Sequence, residues 1–463
     1  MNARIARIVS LALVALALTA APAAAAPAPP AVPADLTTTD VAIATADGKT
    51  LAGTVFAPRD TPGPLPGLVL VHGSGNGKRA GVTPEAIVFA RQGIAVLAYD
   101  KRPLADPVYS LLADDVIAAA QTLRRQPGVQ PDTVGLWGIS EGGWVMPIAA
   151  SRSKDIAFLV LASAPGLSPL RVQNWNMRNK LAAAGVTSGA LTDTLSNRFY
   201  RLAADAGLFA EAGHDPRPPL SAVTQPVLAV YGTADTQVPP AESAAVLRET
   251  VRSPLSVRFV ADAGHTLRVL DDSGMFTNEL FRGYPQIVGE WVRALGAGAP
   301  LPPRIDPSPA QAATSVALPP SAWWESWPAQ VIVLAALLVG FLSYPIVALV
   351  RRVRRRPAPA ARPARPARLL AATGAVAVAG FVAYFVAVAD SADWQGISPG
   401  PVLGGRPVLW LALQAFALVT VIATAVTVHA WRTSTADRWR QGFLLAAGVL
   451  FLPWALYWGL LLP

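Results

Sequence analysis

The sequence predicts two architectures in one chain. The first is an α/β domain with a doubly wound, mostly parallel sheet; the second is an all-α domain of four membrane-spanning helices. Three observations predict this. Short apolar segments alternate with helical patterns across residues 38–295. Four apolar runs of bilayer-spanning length follow after residue 328. Charge is divided unevenly between the two parts. The 463 residues are 52% hydrophobic and only 14% charged, against about 25% charged in ordinary globular domains. The net charge is +9, yet residues 1–328 carry 26 basic and 26 acidic side chains. Residues 329–463 carry 12 basic and 3 acidic. The whole excess lies in the most apolar part. That pattern excludes a basic nucleic-acid-binding domain and fits the basic loops of a membrane protein.

The elements follow in chain order. Residues 1–26 read as a signal peptide. Arg4 and Arg7 form its basic end, Ile8 to Ala20 its apolar stretch, and Ala23-Ala24-Ala25 an A-x-A cleavage pattern. Val41–Ala44 and Leu51–Phe56 flank an Asp-Gly turn and predict a hairpin. Leu68–Val71, Ile94–Tyr99, Val134–Trp137, Ile156–Ala162, Val227–Tyr231 and Val257–Val260 predict strands. These lack strict polar alternation, as strands buried on both faces do. Pro84–Gln92, Ser110–Arg125, Trp144–Ser151 and Tyr284–Leu295 predict helices. Residues 296–328, rich in Pro and Ala, read as an extended, semi-stiff linker. The spans are expected at Ala329–Val350, Leu369–Ala389, Pro407–Ala430 and Gly442–Leu462.

The loops between spans set an expected topology. Eight arginines lie between Arg351 and Arg368, and Arg432, Arg438 and Arg440 follow the third span. The second loop holds Asp390, Asp393 and a single arginine. Basic loops face the cytoplasm, so the α/β domain is expected outside it, anchored in a bacterial-type inner membrane. Trp323, Trp324 and Trp327 precede the first span, where an interfacial aromatic belt would lie. The chain has no cysteine. That excludes disulfides, thiolate metal sites and a cysteine nucleophile.

Three sites of chemistry fall on the α/β frame. Gly138-Ile139-Ser140-Glu141-Gly142 matches G-x-S-x-G between a strand and a helix, a turn that exposes the Ser140 hydroxyl as a candidate nucleophile. His265, just past a strand, is the candidate general base. Asp235, just past the strand Val227–Tyr231, is the acid that would orient it; the order Ser, Asp, His agrees. Asp262 is a poorer acid, being only three residues from His265. The loop His72-Gly73-Ser74-Gly75 supplies backbone donors. The N–H groups of Ser74 and Glu141, with Gly73 giving the close approach, would hold a developing oxyanion. A phosphate-loop reading of this segment fails, because His72 and Arg79 stand where Gly and Ser/Thr are required. No metal and no organic cofactor is expected.

The blocks HGSG, AYDKR, WGISEGG, YGTADTQVP and AGH, in this order, resemble the α/β-hydrolase family. The likeness is strongest to dienelactone-hydrolase-like and prolyl-oligopeptidase-like serine esterases, and covers residues 38–295. It implies Ser140 as nucleophile, His265 as base and Asp235 as orienting acid. The sequence departs at Tyr99-Asp100-Lys101-Arg102-Pro103, where relatives often continue with more glycine and serine. Residues 165–225 are too long for a simple connection and correspond to a helical cap, in which Trp175, Met177, Phe199 and Tyr200 either line an acyl pocket or pack the cap down. The expected function is a serine hydrolase cleaving small-molecule ester-like substrates on the outer face of the lipid bilayer. The alternatives are a peptidase or thioesterase with the same residues, or a sensor or binding module coupled to the membrane domain. No nucleic-acid partner is expected, and nothing in the sequence names a protein partner.

Overall fold

The structure, a computed structural model, describes residues 31–271, 276–311, 313–354, 364–393, 396–433 and 438–463. The expected signal peptide lies outside the described residues, as do parts of the first and third inter-span loops. The described chain forms two compact units. One comprises residues up to Asn176 together with Phe209–Ala317; the other comprises Met177–Leu208 with Leu318–Pro463.

The first unit is built on an eight-stranded sheet: β1 (Leu36–Ala44), β2 (Thr50–Pro58), β3 (Leu65–Val71), β4 (Ala95–Tyr99), β5 (Val129–Ile139), β6 (Leu159–Ala162), β7 (Val227–Gly232) and β8 (Leu255–Val260). Their spatial order is β1-β2-β4-β3-β5-β6-β7-β8. β2 is antiparallel to both its neighbours, and β4 through β8 run parallel. This is the α/β-hydrolase topology. The β1–β2 turn uses Gly48 at φ 79°, and Thr45 Oγ1 donates to Asp47 Oδ1 at 2.6 Å.

Successive residues of the central strands point to opposite faces, and both faces are covered. Val69, Val71, Leu97 and Leu136 pack under α2 (Tyr109–Arg124) and α3 (Gly142–Arg152). Leu68, Leu70, Val96 and Trp137 pack against α1 (Thr83–Ala90) and the helix Tyr284–Gly296. The Trp137 indole N–H donates to the Tyr284 hydroxyl at 2.6 Å in that core. The helix Pro240–Thr250, between β7 and β8, and the hairpin strands Arg268–Leu270 and Phe276–Leu280 were not predicted.

The Pro/Ala-rich segment is extended, but it is not a free spacer. Ile305 makes a parallel bridge with Val257 of β8. Asp306 accepts from Arg258 Nε at 2.9 Å and from the Phe259 N–H at 3.2 Å. Ser315 Oγ donates to Glu242 at 2.9 Å. Burial works to raise the Asp306 pKa, but these hydrogen bonds outweigh it and hold the carboxyl below its usual range.

Among the described residues, the second unit contains four helices long and apolar enough to cross a membrane: Trp327–Val353, Ala364–Asp390, Val408–Thr433 and Arg438–Tyr457. The last ends before the expected Leu462. The chain turns there, with Gly459 at φ 76°. Aromatic rings fill the bundle: Phe381 lies 5.1 Å from Trp454 and 5.3 Å from Trp458. Large apolar side chains such as Ile332 and Leu349 point outward, as lipid-facing residues do.

Residues 177–208 belong to this helical unit. Met177, Leu181, Val186, Leu191 and Leu195 are buried in the same core as the bundle residues Phe341 and Trp410, and Phe199 and Tyr200 pack against that core. Thr194 Oγ1 donates to the Trp458 carbonyl at 3.0 Å, and Arg201 pairs with Glu325 at 2.8 Å. Trp175, in the hydrolase unit, donates instead to the Ala313 carbonyl at 3.1 Å.

Candidate active site

The candidate residues stand at the carboxyl ends of the parallel strands, where open α/β sheets place function. Ser140 follows β5 directly and precedes α3. Its φ is 54°, a left-handed backbone that costs a non-glycine residue energy and persists only where its surroundings impose it. Small neighbours impose it here. A Cβ at Gly138 would lie 2.7 Å from Met146 Sδ, one at Gly142 would lie 3.0 Å from the Val71 carbonyl, and one at Gly143 would overlap Ala164. The glycines of G-x-S-x-G-G therefore let α3 start tight against β3 and the chain after β6. This turn lifts the Ser140 hydroxyl above the sheet edge.

His265 and Asp235 meet across two loops. His265 Nδ1 lies 2.9 Å from Asp235 Oδ2, and both side chains are buried. Asp235 Oδ1 accepts the N–H groups of Gln237 at 2.8 Å and Val238 at 3.0 Å. The carboxylate is thus fixed by its own turn before it meets the ring. The loops are stitched by Ala234 N–H to the Ala263 carbonyl at 2.9 Å, and by Asp262 N–H to Thr233 Oγ1 at 2.9 Å. Gly232 has no room for a Cβ beside the Ala263 carbonyl. With Nδ1–H donating to Asp235, Nε2 is the nitrogen able to take a proton. Asp262 is exposed and engages Thr233 through its backbone, not the ring.

The loop after β3 lies against the serine turn. A Cβ at Gly73 would sit 3.5 Å from Ser140 Cβ. The N–H groups of Ser74 and Glu141 meet no acceptor among the described residues, so both can bind an anion. His72 is not a competing base. Burial pushes its pKa down to about 4, and its Nε2 is committed to the Tyr99 carbonyl at 2.6 Å. His214 packs edge-on against Tyr109, ring centres 5.1 Å apart.

Sequence reasoning missed Lys101. Its Nζ reaches Glu141 Oε1 at 2.5 Å and the Gly73 carbonyl at 3.0 Å, in a buried ion pair. Burial raises the Glu141 pKa against the opposing pull of Lys101 and of the Ser74 hydroxyl. Arg102 likewise pairs inward, with Asp115 at 2.5 Å and with Asp47 at 2.7 Å. The available signal was position: both basic residues lie just past the buried strand β4, after Asp100, at the carboxyl edge of the sheet.

Comparison with known proteins finds partial matches. Residues 111–274 match the prolyl oligopeptidase family. A thiohydrolase from Aspergillus aculeatus is 31% identical over 134 residues, covering 27% of this chain and 41% of that protein. Esterase EstD from Thermotoga maritima is 28% identical over 243 residues, 47% of this chain and 58% of its own. Acyl-coenzyme A thioesterase 1 from Homo sapiens is 35% identical over 112 residues, 24% of this chain and 26% of its own. The chain spans less than two thirds of the length of each of these relatives. Among solved structures, the acetyl xylan esterase from Paenibacillus sp. R4 matches at 19% identity and a TM-score of 0.40, over 63% of this chain and 93% of that one. The dienelactone hydrolase from Anabaena variabilis matches at 15% identity and a TM-score of 0.36, over 56% and 98%. The first unit has the α/β-hydrolase fold.

Proposed function

We propose that the protein is a membrane-anchored serine hydrolase that cleaves ester-type bonds outside the cytoplasm. Ser140, deprotonated by His265, attacks the carbonyl carbon. Asp235 holds the imidazole in the required tautomer and stabilises the imidazolium. The N–H groups of Ser74 and Glu141 receive the oxyanion, with Gly73 allowing the approach. The alcohol leaves with the proton from His265, and a water deprotonated by His265 releases the acid. The observation that carries this reading is the buried His265–Asp235 hydrogen bond, at the same sheet edge as the strained Ser140 turn. The orientation is supported by the arginine-rich loop after the first span and by the apolar N-terminal stretch behind Arg4 and Arg7. A thioester substrate is the second reading. It is favoured by the names of two matched relatives, a thiohydrolase and an acyl-coenzyme A thioesterase.

The test uses the full-length protein in detergent. A fluorophosphonate probe should label it and should fail to label Ser140→Ala. Matched p-nitrophenyl esters and acyl thioesters of rising chain length then separate the two readings by kcat/KM. A folded wild-type protein that neither labels nor turns over either class sinks both.

A further inference from the structure

The buried Lys101–Glu141 pair has no part in the acyl-transfer steps above, yet it touches both arms of the oxyanion hole. Lys101 Nζ donates to the carbonyl of Gly73 at 3.0 Å. That carbonyl and the Ser74 N–H are opposite ends of one planar peptide unit, so fixing the oxygen fixes the direction of the N–H. The same Nζ donates to Glu141 Oε1 at 2.5 Å, and Glu141 is the residue whose own N–H forms the other arm. The Lys101 backbone is tied to this loop as well, its N–H donating to the Gly77 carbonyl at 2.9 Å.

An ion pair is a costly way to fill space. Desolvating two charges usually makes such a pair no better than a well-packed apolar one. This pair does two things an apolar pair cannot. It orients and polarises the Gly73–Ser74 amide, and its ammonium cancels a carboxylate that would otherwise stand beside a developing oxyanion. We propose that Lys101 is a positioning residue, an ammonium clamp that aims the Ser74 N–H and neutralises Glu141 so that the hole can accept negative charge. The proposal rests on the hole assignment made above.

The experiment measures kcat, KM and the affinity for a trifluoromethyl ketone, whose hemiketal oxyanion occupies the hole. All measurements use the full-length protein and an activated p-nitrophenyl ester. Lys101→Met should lower kcat by about 10- to 100-fold, a part of the loss seen when an oxyanion donor is removed outright. KM should change less than about threefold, and ketone affinity should fall in parallel with kcat. The double variant Lys101→Met/Glu141→Gln leaves no orphan charge. It should recover thermal stability but not kcat, because the Gly73 carbonyl is still unheld. It also carries the test if the single variant fails to fold. A double variant with wild-type kcat, or a single variant that loses stability while its ketone affinity is unchanged, overturns the proposal. Absence of Ser140-dependent fluorophosphonate labelling in the wild type is a separate result, which removes the site assignment itself and the clamp with it.

Discussion

The two units bury different chemistry. In the hydrolase unit, buried ionisable groups gather at the carboxyl edge of the sheet: Lys101 with Glu141, Arg102 with Asp115, and His265 with Asp235. In the helical unit, the described core is aromatic and aliphatic, with hydroxyls that return mostly to their own helix. Thr424 and Thr427 donate to the carbonyls of Thr420 and Ala423 at 2.8 and 2.6 Å. Between the long helices, Thr420 Oγ1 bonds Thr373 Oγ1 at 3.0 Å. Close backbone approach does the rest: a Cβ at Gly340 would lie 2.5 Å from the Ala447 Cβ, and one at Gly380 would lie 2.7 Å from Leu413 Cδ2. The difference teaches where cost is tolerated. A buried charge is expensive in either unit. In the first unit two of these three pairs lie at the candidate site; in the helical unit Arg440 is buried, donating to the Tyr344 carbonyl and lying over its ring.

Four perturbations test this contrast. The largest effect is expected from Asp235→Asn, which leaves the His265 ring in place but reverses the tautomer it can hold. Turnover of p-nitrophenyl esters should fall by about 10⁴-fold with little change in stability; a loss under tenfold would show that Asp235 does not orient the base. Next comes Asp115→Ala. It removes the buried partner of Arg102, whose side chain is 1% exposed, and leaves it the more exposed Asp47; the first unit should lose about 3 kcal/mol in denaturant unfolding. Replacing both residues by Met and Leu should restore most of that. If the single variant is as stable as wild type, the pair has no structural role.

Acid should act on the docked segment. The folded-state pKa of Asp306 is depressed, so its contribution is present above the unfolded carboxyl value. It is lost as pH falls through the lower, folded value. Asp306→Asn should mimic the loss at neutral pH, about 1 kcal/mol. Limited proteolysis within residues 299–311 should then accelerate in the variant at pH 7 and in the wild type only at low pH; equal rates at all pH values would contradict the docking. The smallest effect is expected in the helical unit. Thr420→Val removes one inter-helix hydroxyl bond and should cost only about 0.6 kcal/mol. A loss as large as that of Asp115→Ala would erase the contrast between the units.

Legibility followed range along the chain. The hairpin at Asp47-Gly48, the strand alternation, the G-x-S-x-G turn and four apolar runs were all readable, because each is written in neighbouring residues. The helix Pro240–Thr250 was not, since a mixture of Pro, Ser and Glu at its start masks its buried face. The fourth span was read from Gly442 to Leu462, five residues past the helix end at Tyr457, because apolarity alone does not show that Gly459 turns the chain.

What the sequence determined by itself is the set of local conformations and their chemistry: a sheet buried on both faces, a serine turn that only glycines permit, and helices too apolar for water. Periodicity and steric exclusion act over a few residues, and so they can be read from a few residues. The tertiary structure alone decided the partnerships. Lys101 finds Glu141 forty positions away, and His265 finds Asp235 at a separation of thirty. Residues 177–208 leave the hydrolase core for the helical one, and the Pro-rich segment docks beside β8. Each of these depends on which surfaces the folded chain brings together, and no local pattern encodes that choice.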